Sequence, residues 1–149
     1  MAHADPLKCR EAILESSASF VRETIKARQK CEKRIVKGKL APGSCPDAKT
    51  AANIAEAADE LRTAIATACG GKNKRCDVTP RRRDMEDAPS DIGFPATCPN
   101  LENSSDPNCS VAIGNCADIA TCLICVDENA VDQAIRLYYG ALNLPSGDE

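Results

Sequence analysis

The stretch Cys31-Glu-Lys-Arg-Ile35-Val-Lys-Gly38-Lys-Leu-Ala-Pro42-Gly43-Ser-Cys45-Pro46 reads as a reversal between two helices. Gly38 can end a helix in the left-handed conformation, Ala41-Pro42-Gly43 continues the turn, and Pro46 stands where a second helix can begin. Moving outward, Cys9 lies 22 residues before Cys31 and Cys69 lies 24 residues after Cys45. Both intervals come to roughly 33–36 Å along a helix. Two antiparallel helices therefore bring Cys9 opposite Cys69 and Cys31 opposite Cys45. The alternative, in which these cysteines bond to the C-terminal half, loses that symmetry.

The flanks carry helical periodicity. Asp5-Pro6 is a good helix start, with Asp5 as cap and Pro6 in the first turn. Cys9, Ile13, Phe20, Ala27, Cys31 and Ile35 follow at helical spacings, and Leu14, Val21 and Ile25 widen the same stripe. The first helix should run about thirty residues, roughly 45 Å. In the second, Pro46 takes the first position with Ser44 or Cys45 as cap. Ala51, Ile54, Ala58, Leu61, Ile65 and Ala68 then form a heptad seam of mostly small residues, which permits close approach of the helices, and Gly70-Gly71 stops it.

Residues 72–108 are irregular. Lys72, Lys74, Arg75 and Arg81-Arg82-Arg83 are basic, acidic residues follow, and five prolines are spread through the segment. Cys76 and Cys98 inside it indicate a loop stapled to the fold rather than a free linker. From Cys109 the helical pattern returns as short pieces: one around Val111 to Cys116, a turn capped by Asp118, and a last helix capped by Asp127. Ala130, Val131, Ala134, Ile135, Tyr138 and Leu142 form the apolar face of that last helix. No strand signal emerges. The expected fold is all-α: a disulfide-stapled antiparallel hairpin (5–71), a long stapled loop (72–108) and a C-terminal group of short helices (109–145), within one domain spanning 1–149.

Composition explains why staples are needed. The chain has 149 residues, no Trp, two Phe and two Tyr, and much of its apolar fraction is Ala, which buries little area per residue. Ten cysteines offset that deficit when oxidised, each bridge typically adding about 2–4 kcal/mol by restricting the unfolded chain. The even count and dispersed spacing indicate an oxidising compartment. The rival is a reduced metal-binding protein. Its tight Cys/His clusters are not seen, so no metal or cofactor is expected. Ala2-His3-Ala4 before Asp5 has the form of a signal-peptidase site, so export with the signal removed before Asp5 is expected. The competing reading is a native cytosolic start at Met1. No stretch approaches the roughly 20 apolar residues needed to span a bilayer.

Charge is unevenly spread. Residues 1–75 carry fifteen Lys and Arg against nine Asp and Glu, a balance of +6, and residues 76–149 carry four against thirteen, a balance of −9. The two halves can attract each other within one fold, and they can also drive head-to-tail association between copies.

Candidate chemistry is sparse. Cys122 and Cys125 form the one CxxC. A redox reading needs a preceding strand, a zinc reading would add Cys116 and Cys98, and the simplest reading bonds each to a loop cysteine. The six C-terminal cysteines allow fifteen pairings; the expectation here is Cys109–Cys116, with Cys76 and Cys98 taken by Cys122 and Cys125. Asn100, Glu102, Asn103 and Asp106 offer oxygen ligands without the alternation of a calcium loop. Asn103 and Asn108 begin glycosylation sequons. The arginine run lacks the aromatic platform that nucleic-acid binding favours. His3 is the only histidine, so no nucleophile–base pair is evident and no enzymatic activity is expected.

The motifs Cys9-x3-Ile13, Phe20, Lys30-Cys31, Lys37-Gly38-Lys39-Leu40, Ala48-Lys49-Thr50 and Cys69-Gly70-Gly71 resemble the Ala- and Cys-rich domains of exported bacterial proteins. Cys116 to Cys122, Ala130 to Ile135 and Tyr138-Tyr139 are similar to the close of those domains. Since that family carries no assigned activity, the resemblance implies export and a helical fold and transfers no site residues. The expected role is a non-enzymatic secreted or cell-surface module for adhesion, surface layers or filaments, with protein as partner and neither nucleic acid nor membrane span. The alternative is an extracellular binder of a metal or small ligand, using the 72–108 loop or the C-terminal cysteines.

Overall fold

Three helices make up the fold in this computed structural model, which describes residues 5–77, 85–99 and 107–140. They are α1 (Pro6–Val36), α2 (Ala48–Cys69) and α3 (Cys116–Tyr139). Short 3₁₀ turns lie at Gly71–Asn73, Pro89–Ile92 and Pro107–Ser110. The described residues contain no strand, only an isolated antiparallel bridge between Thr97 and Ala112. The described residues form an all-helical fold, with one disulfide joining α1 to α2 and the others tying a helix to a turn or loop. Ala2-His3-Ala4, Arg81 to Arg83, Asn100 to Asp106 and Leu142 with the acidic tail lie outside the described residues.

Helix α1 starts and stops where its local chemistry dictates. The Asp5 carboxylate accepts from the Leu7 amide at 3.1 Å, and Pro6 fills a position whose missing N–H costs the helix nothing. At the other end Gly38 adopts φ 71°, so its amide reaches the Ile35 carbonyl at 2.9 Å and the Lys39 amide reaches Arg34 at 2.8 Å. That pair of bonds is a Schellman cap, satisfying carbonyls the helix leaves open. Lys33 and Arg34 in the last turn complement the helix dipole.

Helix α2 begins later than the proline suggests. Its cap is Asp47, not Ser44 or Cys45: the Asp47 carboxylate accepts from the Thr50 amide at 2.9 Å and from the Thr50 hydroxyl at 2.6 Å. Pro46 therefore precedes the helix, with the Cys45–Pro46 peptide cis. An Asp is a stronger cap than Cys and carries a charge that suits the helix N-terminus, which is why the start moves two residues on. These Thr50 bonds, with Arg34 beside it at 2.9 Å, hold the Asp47 carboxyl below the usual carboxylate range.

Helix α3 is one helix of 24 residues where the sequence pattern suggests several. Nothing between Cys116 and Tyr139 is Gly or Pro, so the spacing of apolar residues breaks while the backbone has no reason to. Asn115 caps it, accepting from the Asp118 amide at 3.0 Å, and Asp118 reaches back to the Gly114 amide at 2.9 Å. Asp127 is interior and caps nothing. Val111 to Ile113 are not helical either. They run against 96–98, with Cys98 donating to Val111 at 2.9 Å and Ile113 to Ala96 at 2.8 Å.

The helices run up, down, up. Cys9–Cys69 ties the foot of the hairpin and Cys31–Cys45 its head, reinforced there by the Arg34–Asp47 ion pair. Ser17 bonds Asp127 and Arg28 bonds Asp132, which sets α3 parallel to α1. Phe20, Leu61, Ile65 and Ile119 are the large fully buried apolar side chains where the three helices meet. Around them α1 and α2 contribute many small residues, as the Ala57–Ala58 pair shows. Not every stripe residue goes inside: Leu14 and Ala51 are exposed, and Val21, Ile25, Ile54 and Ala68 are half-buried.

The segment between α2 and α3 is fastened at several points. The Asp87 amide donates to the Cys69 carbonyl at 2.9 Å, closing the chain back on the end of α2. The Arg10 guanidinium donates to the Ile92 carbonyl at 3.1 Å, docking the Pro89–Ile92 turn on α1. Three disulfides complete the attachment: Cys76–Cys116, Cys98–Cys122 and Cys109–Cys125. The loop cysteines are taken in chain order along α3. Cys98 does take Cys122, but the expected Cys109–Cys116 bond, and with it the pairing of Cys76 with Cys122 or Cys125, is corrected: residues 111–113, committed to the bridge with 96–98, carry the chain away from Cys109 before α3 opens. Cys116, at the foot, meets Cys76 where α2 has just ended.

Candidate functional site

All ten cysteines sit in these five bridges, so none remains free. Cys122 and Cys125 each bond a loop cysteine, and the CxxC spacing reflects one helix face receiving two tethers. Among the described residues the one group able to hold a metal by proximity is Cys76, Glu86 and Cys116, whose donor atoms lie within 4.8 Å of one another. Two of those three donors are spent on a disulfide, and Glu86 accepts from the Asp77 amide at 3.0 Å. In the oxidised protein this is a loop clasp rather than a metal centre.

Two other features stand out. The first is an apolar hollow of about 340 Å³ between the lower half of α1, the loop and α3, lined by Arg10, Ile13, Leu14, Ser17, Phe94 and Leu123. Leu14 on its rim is 72% exposed, and Leu7, on the same face two turns earlier, is also exposed. Toward the opposite end of the molecule, Val36 closes α1, and Leu137 and Tyr138 near the close of α3 are 79% and 76% exposed. Exposed large apolar side chains thus gather toward two ends of the molecule, and such placement marks interaction surfaces when it is contiguous with a hollow.

The second is a cleft of about 400 Å³ where all three helices meet near the head. Pro46, Ala51, Ile54 and Ala55 supply an apolar wall, and Thr24, Arg28, Glu128, Asn129 and Asp132 the polar one. Arg28 and Arg136 both bond Asp132, at 3.1 and 2.9 Å. Along α1, three polar residues four apart have buried side-chain atoms. The Thr24 hydroxyl and the Arg28 Nε have no hydrogen-bond partner, and neither Glu32 carboxylate oxygen has one. Glu32 is wholly buried. Sequence reasoning placed Glu32 on no site, although a Glu beside Cys31 on the inward stripe was the available signal.

Burial raises two further carboxyls. Asp127, half-buried against α1, is pushed up by desolvation, partly offset by the Ser17 hydroxyl donating at 2.6 Å. Asp87 is raised by desolvation first, then by Asp5 and Asp91 nearby. Asp127 faces the Ser17 hydroxyl, and the described residues include no histidine. No helix of the described residues is long and apolar enough to cross a membrane. Five disulfides are consistent with an extracellular or otherwise oxidising environment. Comparison with known protein families, with curated proteins and with solved structures finds no match.

Proposed function

We propose that this chain is a non-enzymatic, secreted structural module that assembles with copies of itself. The observation that carries the reading is the apolar hollow at Leu14, Phe94 and Leu123, set far along the molecule from the exposed Leu137–Tyr138 pair. In this reading Tyr138 of one copy fills the hollow of the next, and the Arg10 guanidinium on the rim meets its hydroxyl, since a buried Tyr needs a polar partner. A contact between different surfaces of the same chain is heterologous and builds filaments or layers when it does not close on itself. The opposite charges of the two halves add long-range attraction between copies. Five disulfides suit a unit that bears load outside the cell, and the resemblance to exported Ala- and Cys-rich domains implies export alone.

The test is size-exclusion chromatography with light scattering, and negative-stain electron microscopy, over a range of concentration and salt. Wild-type protein should associate, and Leu14→Glu should be a monomer with an unchanged melting temperature. A wild type that stays monomeric under all conditions, or a Leu14→Glu that assembles normally, would sink the proposal.

A further inference from the structure

We infer that the apolar hollow between α1, the loop and α3 binds a small amphipathic anion, a carboxylate on a short apolar body, with Arg10 as the partner of the carboxylate. Binding does not depend on the assembly reading; the competition with assembly that follows from it does rest on that reading. Ile13, Leu14, Phe94 and Leu123 give the hollow its apolar surface. Its volume of about 340 Å³ lies near the small end of ligand pockets, roughly 300–1,000 Å³. Arg10 and Ser17 are the two polar residues of the lining, and no carboxylate belongs to it. The Ser17 hydroxyl is committed, donating to Asp127 at 2.6 Å.

Arg10 is held in place but only half used. Its Nε donates to the Ile92 carbonyl at 3.1 Å, which fixes the guanidinium against the Pro89–Ile92 turn. A Cβ on Gly93 would stand 3.8 Å from Arg10 Nη2, so the guanidinium lies over the residue that precedes Phe94. Among the described residues its Nη groups have no hydrogen bond or ion pair. A guanidinium fixed by one edge and open at the other offers a fork that matches the two oxygens of a carboxylate. Because the side chain is already ordered, binding costs less entropy. Arg10 and Ser17 are seven residues apart on α1, roughly 10 Å along the helix axis. That spacing keeps a carboxylate on Arg10 apart from Asp127, while the apolar body lies along Leu14 and Leu123. An ammonium would meet Arg10 unfavourably and find no carboxylate on the lining. Tyr138 of a neighbouring copy needs the same space and the same guanidinium, so the ligand disperses the assembly.

The experiment uses Tyr138→Ser, which lacks the side chain assigned to the contact between copies and keeps the hollow. It is titrated with sodium butanoate, hexanoate and octanoate, and with alkylammonium chlorides of matched length. Melting temperature and the amide resonances of Leu14, Ser17, Phe94 and Leu123 are followed. The carboxylates should bind saturably, tighter with chain length, raising the melting temperature and moving these resonances; the ammonium ions should do neither. Arg10→Gln in the same background should weaken octanoate binding about tenfold or more, with part recovered in Arg10→Lys. Leu14→Glu, on the exposed rim, leaves the Arg10–Ile92 bond in place and should weaken binding about as much through like charge. The proposal is overturned by no saturable carboxylate binding, by equal shifts with ammonium ions, or by either Arg10→Gln or Leu14→Glu binding as the parent does. Light scattering on wild type then reads the competition, with octanoate expected to shrink the assemblies. A wild type that is monomeric without ligand overturns the assembly reading alone and leaves the binding result standing. Assemblies that persist when octanoate saturates the hollow overturn the shared site.

Discussion

Two residues show how local placement translates into measurable stability. Asp127 is held half-buried between α3 and α1, with its carboxyl raised by desolvation and accepting from Ser17. A raised carboxyl favours the protonated form in the folded state. Its contribution is fully present below the ordinary value near pH 4 and is lost as pH rises through the folded value. Asp127→Asn keeps an acceptor for Ser17 without the charge. It should therefore be more stable than wild type at pH 7, with the gap closing toward pH 4; urea unfolding across that range reads it directly. A variant less stable at pH 7 would mean the charged Ser17 bond outweighs desolvation. Gly70 makes a different case. A Cβ there would meet the Ala66 carbonyl and the backbone nitrogen and oxygen of Arg75, which returns over it after the Gly71–Asn73 turn. Because those are backbone atoms that cannot step aside, Gly70→Ala should cost about 1–3 kcal/mol in chemical denaturation.

At the scale of the element, the hairpin is a pair of helices whose seam is rich in alanine and whose ends are tied. Cys9–Cys69 closes a loop with sequence separation 60 and Cys31–Cys45 one of 14. Chain entropy then assigns about 4 kcal/mol to the foot and about 3 kcal/mol to the head. Replacing both members of each pair by Ser should follow that order in guanidinium unfolding under oxidising conditions. The head has the Arg34–Asp47 pair and the Asp47 cap in reserve, which widens the difference. Equal losses, or a larger loss at the head, would show that native packing rather than the unfolded chain sets the cost. This element was largely legible beforehand. All six positions read as the α1 stripe, from Cys9 to Ile35, are buried, because a helix repeats its face at a fixed period whatever it packs against.

For the whole molecule, the decisive feature is how 72–108 is mounted. Proteolysis under non-reducing conditions should yield peptides linked as Cys76–Cys116, Cys98–Cys122 and Cys109–Cys125. Recovery of a Cys109–Cys116 peptide would overturn the path of the loop along α3. The same path forms the hollow, since the Pro89–Ile92 turn is docked by Arg10 and positions Phe94 against Leu14 and Leu123. Selective reduction that frees Cys98–Cys122 should therefore weaken self-association before it unfolds the hairpin, a difference that light scattering and circular dichroism can separate.

The amino-acid sequence by itself determined the all-helical class, the hairpin and the pairing of its four cysteines. Those follow from helical period and rise, which are local and regular. Tertiary structure decided the rest. The irregular loop has no period, so no spacing rule relates its cysteines to α3, and only the bridge of 97 with 112 directs them. The cap of α2 fell to Asp47 through its bonds to Thr50, a competition between neighbours that spacing does not register. Likewise Glu32 reads as one more charged residue on a long helix until the fold buries it, and only then does it become a carboxylate with nothing to hold.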